Sequence, residues 1–201
     1  MRHQYPTLDS EQIFTGRVIS VRRDRVRMSD GTVAEREVVA HPGAVGVVAL
    51  DDQQQVLLVT QYRHPIEAWL DELPAGLLDV DGEQPLLAAQ RELAEEAHTT
   101  ADEWHTLVDL YTSPGMSNEA MRIFLARGLH QVPEAGRYAP DNEELTLTRS
   151  RIPLAEAVRR ALAGELTNGP AIAGVLAASH ALAGRLVLRA ADAPWRTQRE
   201  R

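Results

Sequence analysis

Residues 76–97 read GLLDVDGEQPLLAAQRELAEEA, a glycine-marked acidic loop running into a patterned apolar segment. From Pro85 to Ala97 the pattern is helical, with Leu86, Ala89, Leu93 and Ala97 on one stripe and Pro85 where a first helical turn tolerates it. On that helix Glu92 stands one turn from both Glu95 and Glu96, so three carboxylates can share a face. Like charges at that spacing repel and weaken the helix unless a cation sits among them. A hard divalent cation takes carboxylate oxygens and can bridge them to substrate phosphates. Arg91 can pair with Glu95 at the i,i+4 spacing and orient a ligand. The plainer alternative is a solvated acidic helix, since fragments of this kind are common on ordinary surfaces.

Upstream, the first third reads as β-rich. Gly16–Met28 alternates imperfectly, Ser29-Asp30-Gly31 gives a turn, and 32–39 resumes the strand. The apolar run 44–50, the polar turn 51–55 and the segment 56–62 suggest two buried strands joined as a hairpin. Downstream, 104–111 and 121–129 read as strands around a loop holding Pro114-Gly115, and 136–145 reads as an acidic surface loop. Residues 154–162 form an amphipathic helix, and 168–188 a packed, alanine-rich C-terminal helix interrupted near Gly184. This strand–helix–strand order argues for α/β or α+β, with an N-terminal β extension over 1–40, a main domain over 41–193 and a loosely held tail over 194–201.

Composition narrows the function classes. The chain has 201 residues, 44% of them apolar, enough for a sizeable core. No apolar run approaches the length needed to cross a bilayer, and the N-terminus carries no secretory h-region. The absence of cysteine excludes disulfides and thiolate metal sites and fits a cytoplasmic protein. A net charge of −8 argues against nucleic acid or an anionic membrane as partner. The same charge would oppose a phosphate-bearing substrate unless divalent metal neutralised it locally.

Gly76, Glu83, Arg91, Glu92, Leu93, Glu95 and Glu96 resemble the signature box of the Nudix hydrolases. Two departures stand out: one extra residue separates Gly76 from Glu83, and His98-Thr99 replaces a glycine and an aliphatic residue at the helix end. Gln61-Tyr62-Arg63, residues 72–76 and the segment 113–119 with Pro114, Ser117 and Glu119 are similar to the ADP-ribose pyrophosphatase branch of that family, in its actinobacterial form.

The resemblance implies an α+β fold, an α/β/α sandwich with a mixed sheet, and hydrolysis of the ADP-ribose pyrophosphate bond to AMP and ribose 5-phosphate. It implies Mg²⁺, with Mn²⁺ as an alternative, held by Glu92, Glu95, Glu96 and the carbonyl of Ala75. It also implies a catalytic base from the acidic loop, assigned by position to Glu144 with Glu143 as runner-up. Arg63 is expected to hold a phosphate, Glu72 a ribose or adenine group, and Ser117 and Glu119 the ribose. The N-terminal extension is expected to build a homodimer and part of the adenine pocket. Two alternatives remain: another nucleoside diphosphate sugar or a dinucleotide as substrate, and a non-catalytic ADP-ribose sensor. Against the sensor, all three glutamates of the helix are present. His41, His64, His98, His105, His130 and His180 show no ligand spacing and read as structural or surface residues.

Overall fold

The computed structural model describes residues 5–138 and 145–195. It begins with an antiparallel sheet of β1 (Thr7–Thr15), β2 (Ser20–Arg27) and β3 (Val33–Ala40) in that order. The turn between β2 and β3 falls where expected: Gly31 takes φ 85°, and Asp30 Oδ1 accepts from both the amide and the hydroxyl of Thr32. β1 was not legible beforehand, because all nine of its residues are exposed and no buried face imposes a period of two.

The rest of the chain forms three layers. The middle layer holds β4 (Ala44–Ala49), β5 (Gln55–Arg63), β6 (Ala68–Glu72), β7 (Ala75–Leu77), β8 (Thr99–Tyr111), β9 (Ala120–Gln131), β10 (Thr148–Pro153) and β11 (Arg189–Ala190). They make two sheets, ordered β11-β8-β9-β4-β7 and β10-β5-β6, with β4 and β9 parallel and the other pairs antiparallel. Helix α1 (Pro85–Ala97) covers one face, packing with Val45, Val47 and Phe124. Helices α2 (Leu154–Leu162) and α3 (Gly169–Leu182) cover the other, with Val48, Leu50 and Ile123. β4 is buried along its whole length, which is why it reads as a solid apolar run rather than an alternating one. The expected α/β/α sandwich with a mixed sheet is therefore the observed architecture.

The expected hairpin between β4 and β5 needs correcting. Only the bridge Leu50↔Val56 joins them; beyond it they diverge into different sheets, because β4 pairs with β7 and β9. The opening left by that divergence is bordered by Ala44, Gln61 and Ala75.

Helix α1 follows its sequence pattern. Leu93 is fully buried, a burial that stabilises by about 1.5–3 kcal/mol. His98 ends the helix in the left-handed region at φ 49°, ψ 38°, its amide donating to the carbonyl of Leu93. A non-glycine residue does adopt the helix-ending conformation, as the substituted box position requires. Arg149 from β10 donates to the carbonyl of Glu96, tying a further C-terminal carbonyl.

Helix α3 starts at an Asn168 cap, whose side chain accepts from the Ala171 amide at 2.9 Å, and ends at 182, at the interruption expected near Gly184, beyond which it does not resume as far as 188. Gly184 takes φ 68° there, and the chain turns back to pair β11 with β8. Of the tail expected to be loosely held, only 194 and 195 lie within the described residues, and these two are tied down. Arg122 donates to the carbonyl of Ala193 at 2.6 Å, and the ring of Trp195 lies 5.1 Å from its guanidinium carbon.

Candidate active site

Helix α1 presents its carboxylates to the backbone of β7. A Cβ added at Gly76 would fall 1.9 Å from Glu92 Oε1 and 2.0 Å from its carboxyl carbon. Only glycine lets the Glu92 side chain lie there, although the backbone of Gly76 is not in the left-handed region. One turn on, the buried Glu96 accepts from the Ala75 amide at 2.9 Å. Two carboxylates thus lie against consecutive residues of β7, Ala75 and Gly76.

Arg91 holds the remaining charge together. Its guanidinium donates to both oxygens of Glu83 at 3.1 Å, to Glu92 at 2.7 Å and to Glu95 at 3.0 Å. The expected Arg91–Glu95 pair is present, as one arm of a three-carboxylate network. The hydrogen bonds to Glu83, above all, raise the Arg91 pKa; partial burial opposes them, and the Glu92 charge and bonds to Glu92 and Glu95 add to the rise. Among the described residues, no three His, Asp or Glu side chains converge in metal-ligand geometry. One oxygen each of Glu92 and Glu95, Oε1 and Oε2 respectively, accepts from Arg91. The donor set nonetheless suits a hard divalent cation: every candidate atom is a carboxylate or backbone oxygen, with Glu92 and Glu96 set against neighbouring residues of β7.

Beside this face opens a cavity of about 1040 Å³, lined in part by Ala75, Gly76, Glu96, Arg63, Glu72 and Glu119. Arg63 and Glu72 pair with each other: Nε and Nη2 of Arg63 donate to the two oxygens of Glu72 at 2.8 and 2.7 Å. Glu72 is 4% exposed, so this bidentate pair offsets the cost of burying its charge. Glu119 accepts from the Thr112 hydroxyl through Oε2. Ser117 is not among the cavity-lining residues; its hydroxyl accepts from the Glu119 amide at 3.1 Å and fixes the turn that carries Glu119. Glu143 and Glu144 lie outside the described residues.

Comparison with known proteins assigns the family. The NUDIX domain matches residues 40–173, and the nucleoside diphosphate sugar hydrolase N-terminal domain matches residues 6–39. The chain belongs to the Nudix family. It is 48% identical over 193 residues to an ADP-ribose pyrophosphatase of Mycobacterium tuberculosis, covering 96% of this chain and 92% of that one. It is 41% identical over 128 residues to an ADP-ribose pyrophosphatase of Bacillus subtilis, covering 64% and 69% of the two chains. A crystal structure of an ADP compounds hydrolase superposes with a TM-score of 0.77 over 92% of this chain and 98% of that one, at 23% identity, which shows a shared fold.

The Nudix box accommodates both of its departures locally. Gly82 takes φ 77° and the Glu83 amide closes a turn onto the carbonyl of Val80, so the longer loop still delivers Glu83 to Arg91. Sequence reasoning missed other residues that line the Nudix cleft: Arg17 and Val18 from the β1–β2 connection, His41, Thr112 and Asn168. A lone histidine or asparagine has no spacing signal. These residues reach the cleft through contacts between distant segments, as where Asn118 Oδ1 accepts from the amide of His41.

Proposed function

We propose that this Nudix protein hydrolyses the pyrophosphate bond of ADP-ribose, with Mg²⁺ or Mn²⁺, to AMP and ribose 5-phosphate. The observation that carries the reading is that Glu92 and Glu96 lie against consecutive residues of β7, Gly76 and Ala75, beside a cavity also lined by Arg63 and Glu119. The 48% identity to a relative named as an ADP-ribose pyrophosphatase supports the substrate.

Glu92 and Glu96, with Glu95 and the Ala75 carbonyl, would hold the cation. A bound divalent cation supplies charge neutralisation at the diphosphate and a water of lowered pKa. Arg91 keeps the carboxylates from splaying apart. Water attacks one phosphorus, the bridging P–O bond breaks on the opposite side, and Glu144, or Glu143 in its place, takes the proton of the attacking water. The Arg63–Glu72 pair presents a fixed polar edge to the substrate, and the Glu119 carboxylate faces its sugar. Ser117 acts by holding the turn of Glu119.

The N-terminal sheet is assigned to a homodimer, supported by the exposed Leu8, Ile13 and Phe14 on β1 and by the position of Arg17 and Val18 in the cleft. The protein is read as cytoplasmic; among the described residues no helix is long and apolar enough to cross a membrane. A second reading, another nucleoside diphosphate sugar as substrate, is favoured by the family match over residues 6–39.

The deciding experiment is chromatographic product analysis with ADP-ribose, ADP-mannose, NADH and diadenosine polyphosphates, with and without divalent metal. ADP-ribose cleaved to AMP only with metal is the expected result. Preferential cleavage of another substrate, or undiminished cleavage in chelator, would overturn the corresponding half of the proposal.

A further inference from the structure

His41 sits where β3 hands over to the Nudix domain, and its ring is held at both ends. The Gly43 amide donates to Nδ1 at 3.0 Å. A backbone amide can only donate, so Nδ1 must offer its lone pair and the ring proton must sit on Nε2. Gly43 takes φ 94°, and a Cβ there would meet the Ala120 carbonyl at 3.3 Å, so the donor is fixed by a backbone conformation that favours glycine. The amide of His41 is in turn anchored on Asn118 Oδ1 at 2.9 Å.

Nε2 points across the cleft wall to Glu119 Oε1, 4.0 Å away. That gap is too wide for a direct hydrogen bond, which runs to about 3.2 Å, yet a single oxygen about 2.8 Å from each atom fits between them. Such an oxygen must accept from Nε2–H and donate to a carboxylate, which a water does before substrate binds and a substrate hydroxyl does in its place. The Thr112 hydroxyl on Oε2 and the Ser117 hydroxyl on the Glu119 amide hold the acceptor side in place. Both His41 and Glu119 line the cavity, with side chains 12% and 28% exposed.

We propose that His41, acting with Glu119, is a specificity-determining residue that clamps one sugar hydroxyl of the substrate between a fixed donor and a fixed acceptor. The assignment rests on the proposed nucleoside diphosphate sugar substrate, and it adds a residue that selects polyol substrates over bare phosphate esters. A site built to hydrogen-bond a hydroxyl rejects the analogue lacking it, because its own polar groups are then left unpaired.

The test compares wild type, His41→Phe and His41→Gln on ADP-ribose and on analogues lacking one hydroxyl at a time on either ribose. His41→Phe should lower kcat/KM on ADP-ribose about tenfold, carried by KM, and the glutamine donor of His41→Gln should restore most of it. On one deoxy analogue the wild type should fall to the level of His41→Phe and the two should become equal. A penalty of the same size on every analogue would mean that His41 supports the fold or holds a resident water only, and would overturn the proposal.

A ¹⁵N spectrum of the labelled wild-type protein reads the same claim without turnover. Nδ1 should show the unprotonated shift and Nε2 the protonated one, with Nε2 moving on addition of ADP-ribose. The opposite tautomer, or an Nε2 signal silent to a substrate that is cleaved, overturns the clamp and leaves the hydrolase reading standing. Movement of Nε2 without any cleavage supports the clamp and removes the hydrolase reading, and silence without cleavage overturns both.

Discussion

Replacing Gly76 with alanine should separate chemistry from folding. The new Cβ would lie 1.9 Å from Glu92 Oε1, and ordinary contact begins at 3.4 Å, so the carboxylate must retreat by about 1.5 Å. The Glu92 Cγ at 2.4 Å must move as well, so rotation of the carboxyl group alone does not relieve the clash. A displacement of about 1 Å in a catalytic constellation can cost on the order of 100-fold, and disturbing groups that orient a metal ligand costs about 10–100-fold in metal affinity. Gly76→Ala should therefore lose about 100-fold in kcat/KM for ADP-ribose, with part of the loss recovered at high Mg²⁺. Stability should change little. Gly76 is not in the left-handed region, so alanine there brings about 1 kcal/mol of either sign, a shift of about 2–4 °C in Tm for a chain of this size. The assay is hydrolysis across a Mg²⁺ titration, with thermal unfolding of the same sample. Turnover within twofold of wild type at every Mg²⁺ concentration would refute the argument that this glycine exists to seat Glu92.

The remaining substitutions probe separate parts of the molecule. Glu96→Gln, and Glu92→Gln likewise, should nearly abolish turnover while circular dichroism and Tm stay close to wild type; full activity in either purified variant would sink the metal assignment. Glu144→Gln should lower kcat by about 100-fold or more with substrate binding largely kept, and that signature in Glu143→Gln alone would move the base by one residue. Asp109 tests the far edge of the sheet, where it accepts from Arg122 at 2.7 and 3.1 Å and from Arg189 at 2.7 Å. Burial would raise its pKa, but the two guanidinium groups outweigh burial and hold it below the ordinary 3.8. A depressed carboxyl contributes stability that is present above the ordinary value and is lost as pH falls through the folded one. Asp109→Asn should thus cost about 2–3 kcal/mol at pH 7, and unfolding measured over a pH series should show the gap to wild type closing only below about pH 3.8.

What could be read beforehand followed from local rules. Helix α1 has an apolar stripe at 3.6-residue spacing and Pro85 at its first turn, and α2 spans the residues its amphipathic pattern marks. The carboxylates were legible because helical spacing alone puts Glu92, Glu95 and Glu96 together. The missed features depend on partners far off in the chain. β6 and β7 are short and take their place from pairing with β5 and β4, while the two-residue β11 pairs with β8 only after α3 ends early at Gly184. The phosphate and adenosine roles expected for Arg63 and Glu72 took each side chain singly. In the β5–β6 ladder Arg63 stands opposite Ala68 and Glu72 opposite Val59, and their long side chains reach along it to engage each other. His41 was set aside for want of ligand spacing, yet Gly43 and Glu119 give it a fixed tautomer and a facing acceptor, information that no sequence interval contains.

The charge of the cleft bears on how substrate and cation meet. Arg91 is one guanidinium hydrogen-bonded to Glu83, Glu92 and Glu95, and Glu96 stands beside them on the Ala75 amide. Four carboxylates gathered this closely repel, and a diphosphate adds further negative charge in a chain whose net charge is −8. Arg63 gives Nε and Nη2 to Glu72, so its charge is largely balanced before substrate arrives. Divalent metal and diphosphate should therefore bind with positive coupling, each neutralising what repels the other, and by linkage the coupling must be reciprocal. Calorimetry on the Glu144→Gln variant, chosen so that substrate survives the titration, should show ADP-ribose binding at least about tenfold weaker in chelator than in Mg²⁺, and Mg²⁺ binding tightened by the same factor when ADP-ribose is present. Equal ADP-ribose affinity in the two buffers would mean that the cleft balances the diphosphate with its own side chains, and the argument from charge would fail.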